Sequence, residues 1–206
     1  MGPHKIREMM KGEKEMARRR FRRQRNKNRL AAPGIHDCII VLDRLKPTFN
    51  IGKIFRSAEA FSARELHLVN ISYFDPAPGM GAFKWVPAVF HHTFLSCYSE
   101  LLKKGYTPYI LEPGKGEPVS QVHLPRKSAF VFGHEEFGLS FEPDLYPEIK
   151  RLTIPQFGRS QSLNVSIAAS IILYEYTRQH ADTGRPIRAG NDSAQPETLN
   201  HDPITL

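Results

Sequence analysis

Two glycine-bearing loops and a few polar side chains carry the chemistry open to this chain. The first loop, Gly133-His134-Glu135-Glu136-Phe137-Gly138, follows the apolar run Ala129 to Phe132. Glycines at both ends suit a tight bend or a close approach of backbone to a ligand. Glu135 has no basic neighbour in sequence, and reads equally as a carboxylate bracing the loop and as a group with a direct chemical role. The second loop, Pro155 to Gly158, comes directly after the strand-like Leu152 to Ile154. Ser162 and Asn164 follow it two residues apart, so they cannot share a helix face and belong to the turn before a helix. Capping is the ordinary use of Ser and Asn in such a turn. Loops at the carboxyl ends of strands are also where open α/β sheets bind ligands. Upstream, Asn50 and Arg56 sit at the start and middle of an amphipathic stretch. On pattern alone, Arg56 is a surface arginine in an ion pair with Glu59.

Other chemistries fail on spacing. Gly114-x-Gly116 and Gly79-x-Gly81 lack the later glycine of a dinucleotide loop, and there is no GxxxxGK[ST] phosphate loop. His134-Glu135-Glu136-Phe137 begins like a zinc-protease HExxH, but its fifth position is Gly138. His91 and His92 are adjacent, and adjacent side chains seldom face one site, so no metal is expected.

The elements that must position these residues alternate between short β-like and longer helix-like runs. Cys38-Ile39-Ile40-Val41-Leu42 is continuously apolar, as a strand buried on both faces must be. Ile51, Ile54, Phe55, Ala58 and Phe61 recur at helical spacing, and the apolar stripe is expected to continue to Ser62, leaving Arg56 outside it. Glu65 to Ile71 returns to a strand pattern, and Ser72 to Pro87 reads as a long loop rich in Pro and Gly. Thr93 to Lys104 is helical with Gly105 as its stop. Tyr109 to Leu111, Ala129 to Phe132 and Leu152 to Ile154 are further strands, with Pro113 to Pro125 a loop. Ser162 to His180 is the longest helix, apolar nearly all round at its start, which in so small a domain predicts a subunit interface as well as a core. Alternating strands and helices in one domain mean an α/β fold with a largely parallel sheet.

Composition bounds the partners. The 206 residues, 40% of them hydrophobic, suffice for one well-buried domain. No apolar run approaches the ~18 residues of a membrane span, and the polar first residues hold no secretory h-region, so no secretory signal is expected. Two isolated cysteines, Cys38 and Cys97, fit a reducing, cytoplasmic setting. The net charge of +8 is not evenly spread. Residues 1–30 hold 12 Lys/Arg against 3 Asp/Glu, while the remaining 176 residues are close to neutral. Such a segment attracts polyanions, RNA first, although a solvated tail with no single partner carries even weight. The expected organisation is a basic N-terminal arm (1–34), one domain (35–183) and a flexible tail (184–206).

Three segments together resemble the SpoU/TrmH branch of the SPOUT methyltransferases. They are Asn50-Ile51-Gly52-Lys53-Ile54-Phe55-Arg56-Ser57-Ala58-Glu59-Ala60-Phe61, the GxExxGL of Gly133 to Leu139, and Ile154-Pro155 through Gly158 with Gln161-Ser162-Leu163-Asn164-Val165-Ser166. Order and spacing match from about residue 37 to 180, with the closest likeness to tRNA ribose methyltransferases. The resemblance implies an α/β-knot fold, a parallel sheet flanked by helices with a C-terminal trefoil knot that periodicity cannot reveal. It implies that S-adenosylmethionine is clasped by Leu111, Gly133, Ile154 and Leu163, largely through backbone groups. It also implies a catalytic set of Arg56, Asn50, Glu135, Ser162 and Asn164 that methylates a ribose 2′-hydroxyl. The implied partners are RNA, tRNA favoured and rRNA possible, and a second copy of the chain, with no membrane and no metal. The rival reading is a non-enzymatic RNA-binding or ribosome-assembly protein on the same fold. The arm is longer and more basic than the N-terminal helices of close relatives, a departure that bears on the substrate rather than the reaction.

Overall fold

The computed structural model describes residues 2–181, so the tail expected at 184–206 lies outside the described residues. After an N-terminal helix α1 (Pro3–Asn28), the chain runs β1 (His36–Asp43), α2 (Phe49–Ala60), β2 (Ala63–Val69), β3 (Ala88–His91), α3 (Phe94–Lys103) and β4 (Thr107–Leu111). It then continues through β5 (Glu117–Pro118), β6 (Ser128–Phe132), β7 (Lys150–Thr153) and α4 (Val165–His180). The strands form one seven-stranded sheet of order β3-β2-β1-β6-β4-β7-β5, and every pairing in it is parallel.

Parallel strands need crossover connections, and those connections cover both faces of the sheet. That is why β1 reads as an unbroken apolar run. Ile40 and Leu42 join the core under α1, α2 and α4, while Ile39 and Val41 join the core under α3. Two short edge strands escape the sequence reading. β3 has four half-buried residues and pairs only with β2, and β5 lies inside the expected loop as two residues beside β7. Edge pairing of this length is set by the neighbouring strand rather than by the segment's own pattern.

Two local expectations also shift. α2 ends at Ala60, and Ser62 takes a left-handed φ of 51°, so the buried stripe is Ile51, Ile54, Phe55 and Ala58 without it. The loop 72–87 is irregular as expected, yet it sends Phe74 and Phe83 into the core, where both pack on Phe55.

The basic segment is a helix with one buried seam. Ala17, Phe21, Gln24 and Asn28 recur at helical spacing and are buried, while 11 of its 12 Lys/Arg are exposed and Arg20 is half-buried. Phe21 stacks on Phe83 at 5.5 Å and meets Phe74 edge-on at 5.2 Å. Asn28 donates to the Phe83 and Val86 carbonyls, each at 2.6 Å, and accepts from the Ala88 amide at 3.2 Å. Among the described residues, no helix is long and apolar enough to cross a membrane.

Candidate functional site

Because all strands run parallel, the loops leaving β4, β6 and β7 emerge at one end of the sheet, where such folds bind ligands. The β6 loop is the most constrained. His134 and Gly138 close it with reciprocal backbone hydrogen bonds of 2.8 and 2.9 Å, and Gly138 supplies the left-handed φ of 68° that the closure requires. Gly133 is needed for a different reason. A Cβ there would lie 2.6 Å from the Gly138 carbonyl carbon and 2.8 Å from the Leu139 nitrogen. Replacing Gly133 by alanine is therefore expected to force the loop open, at about 1–3 kcal/mol by analogy with overpacked cores. Scanning calorimetry should record a lower melting temperature, and an unchanged melt would show that the loop backbone yields freely.

The loop's exit is tied to the end of β1. Buried Asp43 accepts from the Ser140 amide and, at 2.8 Å, from the Ser140 hydroxyl. Burial pushes the Asp43 carboxyl up, and the two Ser140 bonds oppose that shift. Nothing in the sequence pattern singles out Asp43, since it sits at the end of an apolar strand.

Four of the five polar candidates meet at one end of the sheet. Asn50 Nδ2 donates to Glu135 Oε1 at 2.8 Å, and Asn164 Nδ2 donates to Asn50 Oδ1 at 3.3 Å. The Lys46 amide reaches Glu135 Oε2 at 3.4 Å, so this carboxylate does brace its loop. Asn164 is the N-cap of α4, its Oδ1 accepting from the Ser166 amide at 2.9 Å and hydroxyl at 2.6 Å. The capping and site-lining roles thus coexist. The helix starts at Val165, leaving Ser162 and Asn164 in the preceding turn as their spacing requires.

A cavity of about 310 Å³ opens among these loops, within the range of small-molecule sites. Leu111, Gly133, Ile154 and Leu163 all line it, together with Glu135, Ser162 and Asn164. Glu112, Pro113 and Gln156 line it too. Each is next to or near a predicted residue, but loop neighbours carry no periodic signal that would mark them. The walls mix apolar side chains (Ile154, Val165, Ala168) with exposed polar groups, which suits a ligand with an aromatic body and a polar rim.

Arg56 stands apart. It is exposed on α2, outside the cavity wall, and the expected pair with Glu59 does not form. No hydrogen bond or ion pair engages it among the described residues. An unengaged guanidinium on this exposed face of α2 is available for an anion from outside the chain.

Comparison with known proteins bears on the family and the fold. Residues 37–174 match the model of the SpoU rRNA Methylase family. The tRNA (guanosine(18)-2'-O)-methyltransferase of Thermus thermophilus is 31% identical over 153 residues, which are 72% of this chain and 78% of that one. The crystal structure of the A. aeolicus TrmH/SpoU tRNA modifying enzyme superposes with a TM-score of 0.64 at 25% identity, covering 77% of this chain and 82% of that one. An AdoMet-bound rRNA methyltransferase from Sinorhizobium meliloti shares the fold at 24% identity and a TM-score of 0.62, and this chain spans 59% of its length.

Proposed function

The chain belongs to the SpoU rRNA methylase family, and from that membership we propose that it transfers a methyl group from S-adenosylmethionine to a ribose 2′-hydroxyl of structured RNA, with tRNA favoured over rRNA. One observation carries the reading. The four residues assigned to the cofactor line a single cavity with Glu135, Ser162 and Asn164, although they come from three separate loops. The cavity fits the cofactor's chemistry, since apolar walls suit adenine and the polar groups of Glu135, Ser162 and Asn164 border them. The same reading includes the trefoil threading of these loops, which rests on the family membership. The unbroken chain from Glu135 through Asn50 to Asn164 argues against a degenerate, purely RNA-binding site.

S-adenosylmethionine, when bound, supplies an electrophilic methyl. The protein's residues must bring the 2′-oxygen into line with it and ease departure of the hydroxyl proton. Arg56 is too basic to serve as the base itself. Its planar fork instead binds an RNA phosphate and polarises the 2′-hydroxyl. Asn50, held from both sides, positions the nucleotide or Arg56, and Ser162 borders the same space. The test is calorimetric titration with S-adenosylmethionine, followed by methyl transfer to tRNA with the product nucleotide mapped. No binding at millimolar cofactor would remove the methyltransferase reading.

The reading extends to a homodimer in a reducing, cytoplasmic setting. Ile167 and Tyr174, 52% and 60% exposed, flank half-buried Ile171 on the outer side of α4, an apolar stripe suited to a second copy of the chain. Both cysteines are buried free thiols, which suits a reducing setting. The family match over 37–174 supports a domain bounded near 35 and 183.

The exposed side of α1 is proposed to bind RNA phosphates. Deleting it would be a poor test, because Phe21 and Asn28 belong to the core and its seam. Changing exposed Arg18, Arg19, Arg22 and Arg23 to alanine leaves that seam intact. Affinity for tRNA is expected to fall, and the log–log salt slope to flatten by about 2–4 units through lost counterion release. Single-turnover methylation at saturating tRNA should survive. An unchanged slope would make α1 a helix with no RNA role.

A further inference from the structure

The fold gathers three potential metal ligands from three different elements. His67 lies in β2, His91 ends β3 and Cys97 lies in α3, and one ligand atom from each falls within 4.8 Å of the others. None of the three lines the cavity. We propose that His67, His91 and Cys97 form a structural site for one zinc-class divalent cation, with Glu100 as the fourth ligand.

The hydrogen bonding prepares this donor set. His67 Nε2 lies 3.1 Å from Glu65 Oε1 and donates its proton there, which leaves the Nδ1 lone pair facing the cluster. A carboxylate behind a ligating histidine fixes the ring and its tautomer at many metal sites. Two donors compete for the single Nδ1 lone pair, His91 Nε2 at 3.1 Å and Cys97 Sγ at 3.4 Å. A neutral ring nitrogen accepts one hydrogen bond well, not two. A cation at the centre removes the competition by accepting a lone pair from each of the three atoms.

The distances suit an ion. Zinc bonds of about 2.0–2.3 Å in a tetrahedron place ligand atoms roughly 3.3–3.7 Å apart. His67 Nδ1 lies 3.1 Å from His91 Nε2 and 3.4 Å from Cys97 Sγ, close to that. The third pair is bounded only at 4.8 Å and would draw in around an ion, and Glu100 Oε2 is 3.9 Å from His91 Nε2. Cys97 and Glu100 are three apart on α3 and so project from one side of it. Two nitrogens, a sulfur and a carboxylate oxygen are a zinc-class set, whereas calcium and magnesium take oxygen alone.

Charge favours a cation as well. Glu65, Glu100 and Asp43 surround the cluster, against Lys104, which pairs with Glu100 at 2.7 Å and Glu65 at 3.4 Å. Cys97 is a buried free thiol. Binding releases one proton, from the thiol to solvent, as the sulfur–metal bond forms. The His91 proton moves from Nε2 to Nδ1, which faces the Ser96 hydroxyl at 3.5 Å.

The site ties the edge strand β3 to β2 and α3, an assembly that short strands alone hold weakly. The test is titration of the chelator-treated full chain with cobalt(II). One ion per chain is expected, with a thiolate-to-cobalt charge-transfer band, tetrahedral visible bands, loss of the signal to added zinc(II), and a raised melting temperature. Cys97→Ser should lose the charge-transfer band. His91→Gln should weaken zinc(II) binding by at least about tenfold, as even the loss of a supporting partner can. Both variants should keep the wild-type circular dichroism and bind S-adenosylmethionine as before. A folded wild-type protein with no thiolate band would overturn the proposal. So would an ion whose spectrum and affinity survive both substitutions, since it would then sit elsewhere.

Discussion

Replacing Arg56 with alanine is expected to abolish methyl transfer while leaving S-adenosylmethionine affinity nearly unchanged. The separation follows from placement. Arg56 lies outside the cavity wall and makes no hydrogen bond or ion pair among the described residues, so its loss should disturb neither the fold nor the cofactor contacts. What disappears is the anion-binding fork facing the RNA. Arg56→Lys should rescue poorly, because a point charge cannot reproduce two parallel hydrogen bonds to a phosphate. Single-turnover rates with saturating tRNA give the measure. Activity within about tenfold of wild type, a barrier change of only ~1.4 kcal/mol, would sink the assignment.

Ile171→Glu is expected to convert a dimer to monomers and to remove activity with it. Ile171 sits between exposed Ile167 and Tyr174 on the outer side of α4, so a carboxylate there has water available in the monomer. In the proposed dimer it would be buried without a partner, at a cost of several kcal/mol. Activity depends on the dimer in this reading because Arg56 does not line the cavity of its own chain. Light scattering on the wild-type protein at micromolar concentration should give twice the chain mass of 23.5 kDa, and on the variant 23.5 kDa. A wild-type mass of 23.5 kDa would contradict the dimer, and a monomeric variant with full activity would separate the dimer from catalysis.

The strands and helices that carry the site are legible in the residues themselves. β1, β4 and β6 are short apolar runs, and α2 and α4 hold their spacing, because burial on both faces or one side leaves a periodic mark. β7 instead starts at Lys150, and Leu152 is its only apolar residue from the expected Leu152 to Ile154 run. The loops were legible for another reason. Gly133, Gly138 and the Ser162-Leu163-Asn164 turn are types that backbone geometry selects for, at the ends of runs where ligands bind. α1 was legible only as charge. Its seam of Ala17, Phe21, Gln24 and Asn28 contains two polar residues, and a hydrophobic pattern does not register Asn28 as a core anchor.

The parallel α/β class, the loops that border the site and the residue types available for binding an anion are all written along the chain. Those features depend on local periodicity, on backbone conformations that few residues tolerate, and on charge counted residue by residue. Which of those residues meet depends on the folded arrangement. It joined Glu135 to Asn50 and Asn50 to Asn164, left Arg56 outside the cavity, and fastened Ser140 to Asp43. It also set His91 against His67 and Cys97 rather than against its sequence neighbour His92. Strand order is the reason. Inserting β6 between β1 and β4 brings together the ends of segments some ninety residues apart, and no spacing along the chain encodes that insertion.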